Sequence, residues 1–141
     1  MGMAKPDFHG ININRIKQSS KKLSGNILST PTVFAHSLSD LLDCSLYLKL
    51  ENLQFTSSFK SRGAFIALHE LDEKNKKIGV ITMSAGNHAQ AVAFRSQQQG
   101  IKSIIVMPEK TPFTKISKTK SYGAEIILNG KTLDESKLTV E

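Results

Sequence analysis

The sequence predicts an α/β fold built on a parallel sheet, and three observations carry that prediction. Short apolar runs, "IGVITM", "KSIIVMP" and "AEIILNG", recur through the second half. Stretches of about 12 residues with helical patterning separate them, too long for hairpins and right for crossovers between parallel strands. Gly100, Pro108 and Gly123 punctuate the junctions, where a strand or helix has to stop.

Taken in order, residues 12–24 read as an amphipathic helix with Ile13, Ile16 and Leu23 on one face. Pro31 breaks the chain, and Ser37 to Leu42 reads as a short helix. In "SLYLKLENL" the leucines at 46, 48 and 50 alternate with other residues, the signature of a strand. Ser57 or Ser58 is placed to cap a helix running to about Leu71. Gly63 inside that helix costs about 1 kcal/mol relative to alanine, so something must need the missing side chain. "IGVITM" is then a buried strand, "SAGN" a turn, and "HAQAVAFRSQQQ" a helix stopped by Gly100. "KSIIVMP", the helix "TPFTKISKTKSY" and the strand "AEIILNG" follow. In "KTLDESKLTVE" a further helix begins, with Thr132 as cap and Glu135 completing a capping box. A helix begun after a third strand normally leads to a fourth, so the fold is expected to be interrupted there.

Composition narrows the function. The chain has 141 residues, 39% hydrophobic, which suits one globular unit. No run reaches the roughly 18 apolar residues of a membrane span. The N-terminus lacks the apolar core of a secretory signal, and Pro6 stands where a myristoylation site wants Ser or Thr. A lone Cys44 gives neither an internal disulfide nor a metal cluster and fits a reducing cytoplasm. The net charge of +7 raises nucleic acid as a partner. Its lysines are scattered without interleaved aromatics, which reads as solvated surface. His9, His36 and His69 share no metal-ligand spacing, and no Walker loop or GxGxxG is present.

Two stretches carry chemistry. "TMSAGNHAQ", residues 82–90, joins a strand end to a helix start, where open α/β sheets bind ligands. Free N–H groups at Gly86, Asn87 and His88, backed by the helix dipole, suit a carboxylate or phosphate. Ser84 and Asn87 add side-chain donors, although either could simply cap the helix. The second stretch is "FTSSFKSRGAF", which sets Lys60 among Phe59, Phe65 and small residues that look built for close packing. One reading is a lysine whose stem lies on Phe59 and whose ammonium reaches water. The other is a Schiff-base lysine, whose desolvated amine becomes nucleophilic and whose usual carbonyl partner is pyridoxal phosphate. Gly63 and Ala64 would leave room for a flat ring. Arg62 reads as an ion-pair residue, and Glu51 and Asn52, following a strand, could line the same crevice.

Together, "LYLKLENLQFTSSFKSRGA", "GVITMSAGNHAQAVAF", "GIKSIIVMPEKTPFTKISKTKSYGAEIILNG" and "DES" resemble the N-terminal portion of the threonine dehydratases, also called threonine ammonia-lyases. The resemblance runs from about Leu46 to Ser136, and its wording is nearer the catabolic branch. It implies a parallel three-layer α/β fold of the tryptophan-synthase-β-like kind (fold type II), truncated, with pyridoxal 5′-phosphate as cofactor. Residues 1–75 would belong to a large domain carrying the Schiff-base lysine helix, and residues 76–141 to a small α/β domain incomplete at its C-terminus. Lys60 would bond the cofactor and then act as base at the substrate α-carbon. Phe59 would pack on the cofactor ring and Asn87 would hydrogen-bond its 3′ oxygen. Ser84, Ala85, Gly86, Asn87 and His88 would grip the substrate carboxylate, His88 through its backbone with the side chain turned away. The implied reaction is β-elimination from L-threonine or L-serine to a 2-oxo acid and ammonia. Ala85 stands where serine racemases resembling this chain carry a serine, which favours dehydration over racemisation.

Two departures qualify the resemblance. The family's glycine-rich phosphate loop and the group facing the pyridine nitrogen should come well downstream, and neither has a candidate in these residues. A chain without them is expected to hold the cofactor poorly and to be inactive alone. Ala91 stands where glycine is common. Partners implied are a small-molecule substrate and, for a full-length form, a second copy, with no nucleic acid or membrane. The alternatives are a non-catalytic fragment that binds a partner, or a relative of the serine racemase or cysteine and cystathionine synthase type.

Overall fold

The structure is a computed structural model describing residues 12–140. The readings placed on Met1, Gly2, Pro6 and His9 lie outside the described residues. Helix α1 (Ile13–Leu23) opens with Asn12, whose side chain accepts from the Arg15 N–H, and closes on Lys21 and Lys22, charges that suit the helix C-terminus. Only Leu23 of its predicted apolar face is buried; Ile13 and Ile16 are 60% and 54% exposed. Strand β1 (Thr32–Phe34), helix α2 (His36–Leu42) and strand β2 (Tyr47–Lys49) follow. The two strands pair antiparallel, with Val33 opposite Leu48. A 3-10 turn at Glu51–Leu53 leads to helix α3 (Lys60–His69) and helix α4 (Glu73–Ile78).

The second half folds into the strands and helices its periodicity predicts. The "IGVITM" strand, expected to be buried, is only half-buried, with Ile81 42% exposed. Strands β3 (Val80–Met83), β4 (Ser103–Met107) and β5 (Glu125–Leu128) form a parallel sheet in that order, joined through helices α5 (Asn87–Gln98) and α6 (Phe113–Lys120). Thr82 pairs with Ile105 and Ile105 with Ile126, so the middle of β4 is buried between neighbours. Helix α7 (Leu133–Lys137) ends the described chain. Its cap holds: Thr132 accepts from the Glu135 N–H at 3.2 Å, while the Glu135 carboxylate reaches one residue further back, to the Lys131 N–H at 2.7 Å.

One apolar core unites the halves. Ala64 of α3, Ala89, Ala91, Val92 and Ala93 of α5, and Ile105 and Met107 of β4 share it with Ala124, and Val80, Ile116, Tyr122 and Ile126 pack around them. Small side chains at the α3–α5 contact let the helices approach closely, so the N-termini of both are set by the same packing. No described helix is long and apolar enough to cross a membrane.

Candidate active site

Lys60 is the first residue of α3, and no side chain caps that helix. The predicted serine cap does not form. Ser57 takes the left-handed conformation (φ 55°), and Ser58 is buried with its hydroxyl unpartnered. The close packing expected around Lys60 lies beneath it: Ser58, Ser61, Ala64 and Phe65 are buried, whereas Lys60 is exposed. Its Nζ stands 5.3 Å from the centre of the Phe59 ring, itself 61% exposed.

A cavity of about 450 Å³ opens beside this amine. Phe59, Lys60, Gly63, Ala64, Ala67, Leu68 and Leu71 form one wall, and Val80, Ile81, Thr82, His88 and Val92 the other. No protein atom requires Gly63 to lack a side chain, contrary to the expectation: a methyl group added to it would meet nothing within 4 Å. The space beside the lysine's first helical turn is therefore open to a flat group. Glu51 and Asn52 are not in this wall. Glu51 is drawn away by Arg62, which binds it with two hydrogen bonds of 2.8 and 2.7 Å, and lines a separate cavity against α1. Thr30 donates a further 2.6 Å bond, and Arg62 above all holds the Glu51 carboxyl down at about 2.

Opposite the lysine, β3 gives way to α5. Gly86 caps that helix, and no side chain accepts from its first turn, so neither Ser84 nor Asn87 serves as the cap. Instead the Ser84 hydroxyl accepts from the Gly86 N–H at 3.3 Å, tightening the turn. The donors of Asn87 and His88 are left for an anion, with the positive end of a 12-residue helix behind them. Ser84, Ala85 and Gly86 are half-buried and Asn87 exposed. The cavity reaches this turn at His88, while Ser84 to Asn87 stay outside its lining.

The His88 side chain was expected to turn away; it faces the cavity. Its Nε2 lies 3.3 Å from Thr82 Oγ1. Burial first, then the charge of Lys60, push the imidazole below its usual range, so it is neutral near pH 7. Lys60 and His88 line the same cavity. Thr82 had no sequence signal beyond its place at a strand end. His36 and His69 lie elsewhere, edge-on to Phe34 and stacked on Phe65, and no cluster that could hold a metal ion occurs among the described residues.

An exposed amine, an open face beside its helix and a ring-bearing neighbour fit an aldehyde-bearing aromatic cofactor, and the uncapped turn fits an anion. These features define an α/β domain that sets a lysine amine on one wall of a cavity and a helix beginning without a side-chain cap near the other. Residues 23–141 match the family model described as pyridoxal-phosphate dependent enzyme, and the chain belongs to that family. It is 43% identical over 126 residues to the L-threonine ammonia-lyase of Thermotoga maritima, covering 89% of this chain and 31% of that protein. Among solved structures, maize serine racemase superposes with a TM-score of 0.85 at 30% identity, covering 92% of this chain and 39% of the other. The processed form of threonine deaminase isoform 2 from Solanum lycopersicum superposes at 0.80 with 36% identity, covering 96% and 38%. The chain thus spans less than two fifths of the length of each of these three proteins. The fold is that of the fold type II pyridoxal-phosphate enzymes, as the sequence implied.

Proposed function

We propose that this chain is the lysine-bearing part of a threonine/serine dehydratase that eliminates water from L-threonine, giving 2-oxobutanoate and ammonia, and converts L-serine to pyruvate. The observation that carries the reading is the one cavity lined by both Lys60 and His88, next to the turn that opens α5 without a side-chain cap. Lys60 would hold pyridoxal phosphate covalently, Phe59 would lie against its ring, and Asn87 would donate to its 3′ oxygen. Pyridoxal phosphate, when bound, supplies the electron sink that lets the α-carbon give up a proton. Lys60 Nζ, when not itself bonded to the cofactor, would be the base that takes this proton, since the amine opens on the cavity where a substrate would lie.

The turn Ser84–Ala85–Gly86–Asn87–His88 orients the substrate by its carboxylate, using backbone donors that need no reorganisation. A neutral His88 leaves the carboxylate's charge to these donors. Residues 1–75 belong in this reading to the larger domain and 76–141 to the smaller, and their closing would exclude water. The setting proposed is cytoplasmic, with homo-oligomers in a longer form.

Likeness to maize serine racemase favours a second reading, racemisation. Ala85 argues against it, having no group that could exchange a proton on the opposite face of the substrate. A substrate panel of L-threonine, L-serine and O-acetylserine, run on this chain extended with the downstream region of a relative, separates these readings. Release of 2-oxobutanoate and ammonia is expected. D-serine as the main product from L-serine would contradict dehydration.

A further inference from the structure

Arg95 of α5 is 1% exposed, yet no carboxylate meets it among the described residues. Its Nε donates to the Ser61 hydroxyl at 2.9 Å and its Nη1 to Gln98 Oε1 at 2.6 Å, while Nη2 has no partner. Three rings surround the guanidinium, those of Phe55, Phe65 and Phe94, with centres 5.4, 5.6 and 5.1 Å from Cζ. Burial disfavours its charge, so the cage does not fully compensate for lost water. An apolar side chain of similar length would fill the cage without that penalty, and such replacements of buried charge are often neutral or stabilising. What it could not do is hold Ser61. That residue is 0% exposed and directly follows Lys60, and Arg95 reaches it from the helix whose N-terminus is the anion-binding turn.

We propose that Arg95 is a positioning residue for Lys60: caged by three rings and bonded to Ser61, it fixes the first turn of the lysine helix against α5. It thereby sets where the amine stands relative to the turn. The inference rests on the reading of Lys60 as the cofactor-bonding lysine. A guanidinium suits the task because it is planar, always charged and directional, whereas an alkyl chain in the same cage would let α3 slide.

The test uses the 141-residue chain mixed with pyridoxal phosphate and reduced with borohydride, with the label mapped by peptide mass spectrometry. Melting temperature is measured in parallel on wild type, Arg95→Met, Arg95→Lys and Ser61→Ala. Lys60 should carry label in excess of surface lysines such as Lys102. Arg95→Met should melt no lower than wild type while the Lys60 excess falls about ten-fold, and Arg95→Lys should retain part of it. Ser61→Ala, which leaves the cage intact, should also lower the excess and serves should Arg95→Met fail to fold. A Lys60 excess that survives Arg95→Met or Ser61→Ala overturns this inference alone. So does a drop in melting temperature with label lost evenly from all lysines. Even labelling of the wild type removes the Lys60 reading and this inference with it.

Discussion

The Glu51 carboxyl titrates near 2 because two guanidinium bonds and the Thr30 hydroxyl favour its charged form over the cost of burial. A depressed carboxylate stabilises the fold at pH values above its unfolded pKa and loses that contribution as pH falls toward 2. The shift corresponds to on the order of 3 kcal/mol. Urea unfolding of wild type and Glu51→Gln should therefore differ most at neutral pH and converge in acid. Arg62→Ala, which leaves the half-buried carboxylate with only the Thr30 hydroxyl among these partners, should cost about 1–3 kcal/mol at neutral pH. His88 acts with the same sign but in a higher pH window. Its folded pKa lies below the usual 6.5, so the unfolded chain binds the proton more readily and stability falls as pH drops below that value. His88→Gln should flatten this loss between roughly pH 7 and pH 5. These two pairings separate cleanly because Glu51 and Lys60 line different cavities.

At the scale of elements, the approach of β3 to β4 depends on Gly79. Its φ is +102°, and an added Cβ would stand 2.8 Å from the Lys102 carbonyl, a backbone atom that cannot step aside. Gly79→Ala should lower stability by about 1–3 kcal/mol in thermal unfolding. The parallel strands and the helices between them were legible because apolar runs and 3.6-residue periodicity agree with their glycine and proline stops. The antiparallel pair was only half read. Strands β1 and β2 are three residues each and exposed throughout, so Thr32–Phe34 leaves almost no pattern. Helix α4, "EKNKKI", was missed because it is polar all round and depends on the Asp72 cap, which accepts from the Asn75 N–H at 2.7 Å. The candidate site was legible in part: Lys60 was singled out and lines the cavity, whereas the "SAGN" turn lies just outside its lining. It was not legible at Arg95 or in the direction of the His88 ring, because burial of a polar side chain is decided by tertiary packing.

Taken whole, the molecule sets Lys60 and His88 on one cavity, while the proteins it is compared with are more than twice as long. Leu41, Leu42 and Leu138 are exposed at 78%, 57% and 74%, as are large parts of Leu38, Tyr47 and Leu48. Apolar surface on this scale promotes association. Sedimentation velocity should therefore show self-association of the chain that recedes when a relative's downstream region is joined to it. The central claim, that Lys60 is the amine built to bond an aldehyde cofactor, does not require tight binding to be tested, since borohydride captures even a transient imine irreversibly. The most direct measurement is peptide mapping of the chain reduced in the presence of pyridoxal phosphate. The account predicts that the pyridoxyl group accumulates on Lys60 ahead of every other lysine, and that Lys60→Ala does not transfer this excess elsewhere. Label spread evenly over the lysines, with Lys60 indistinguishable from the rest, would contradict it.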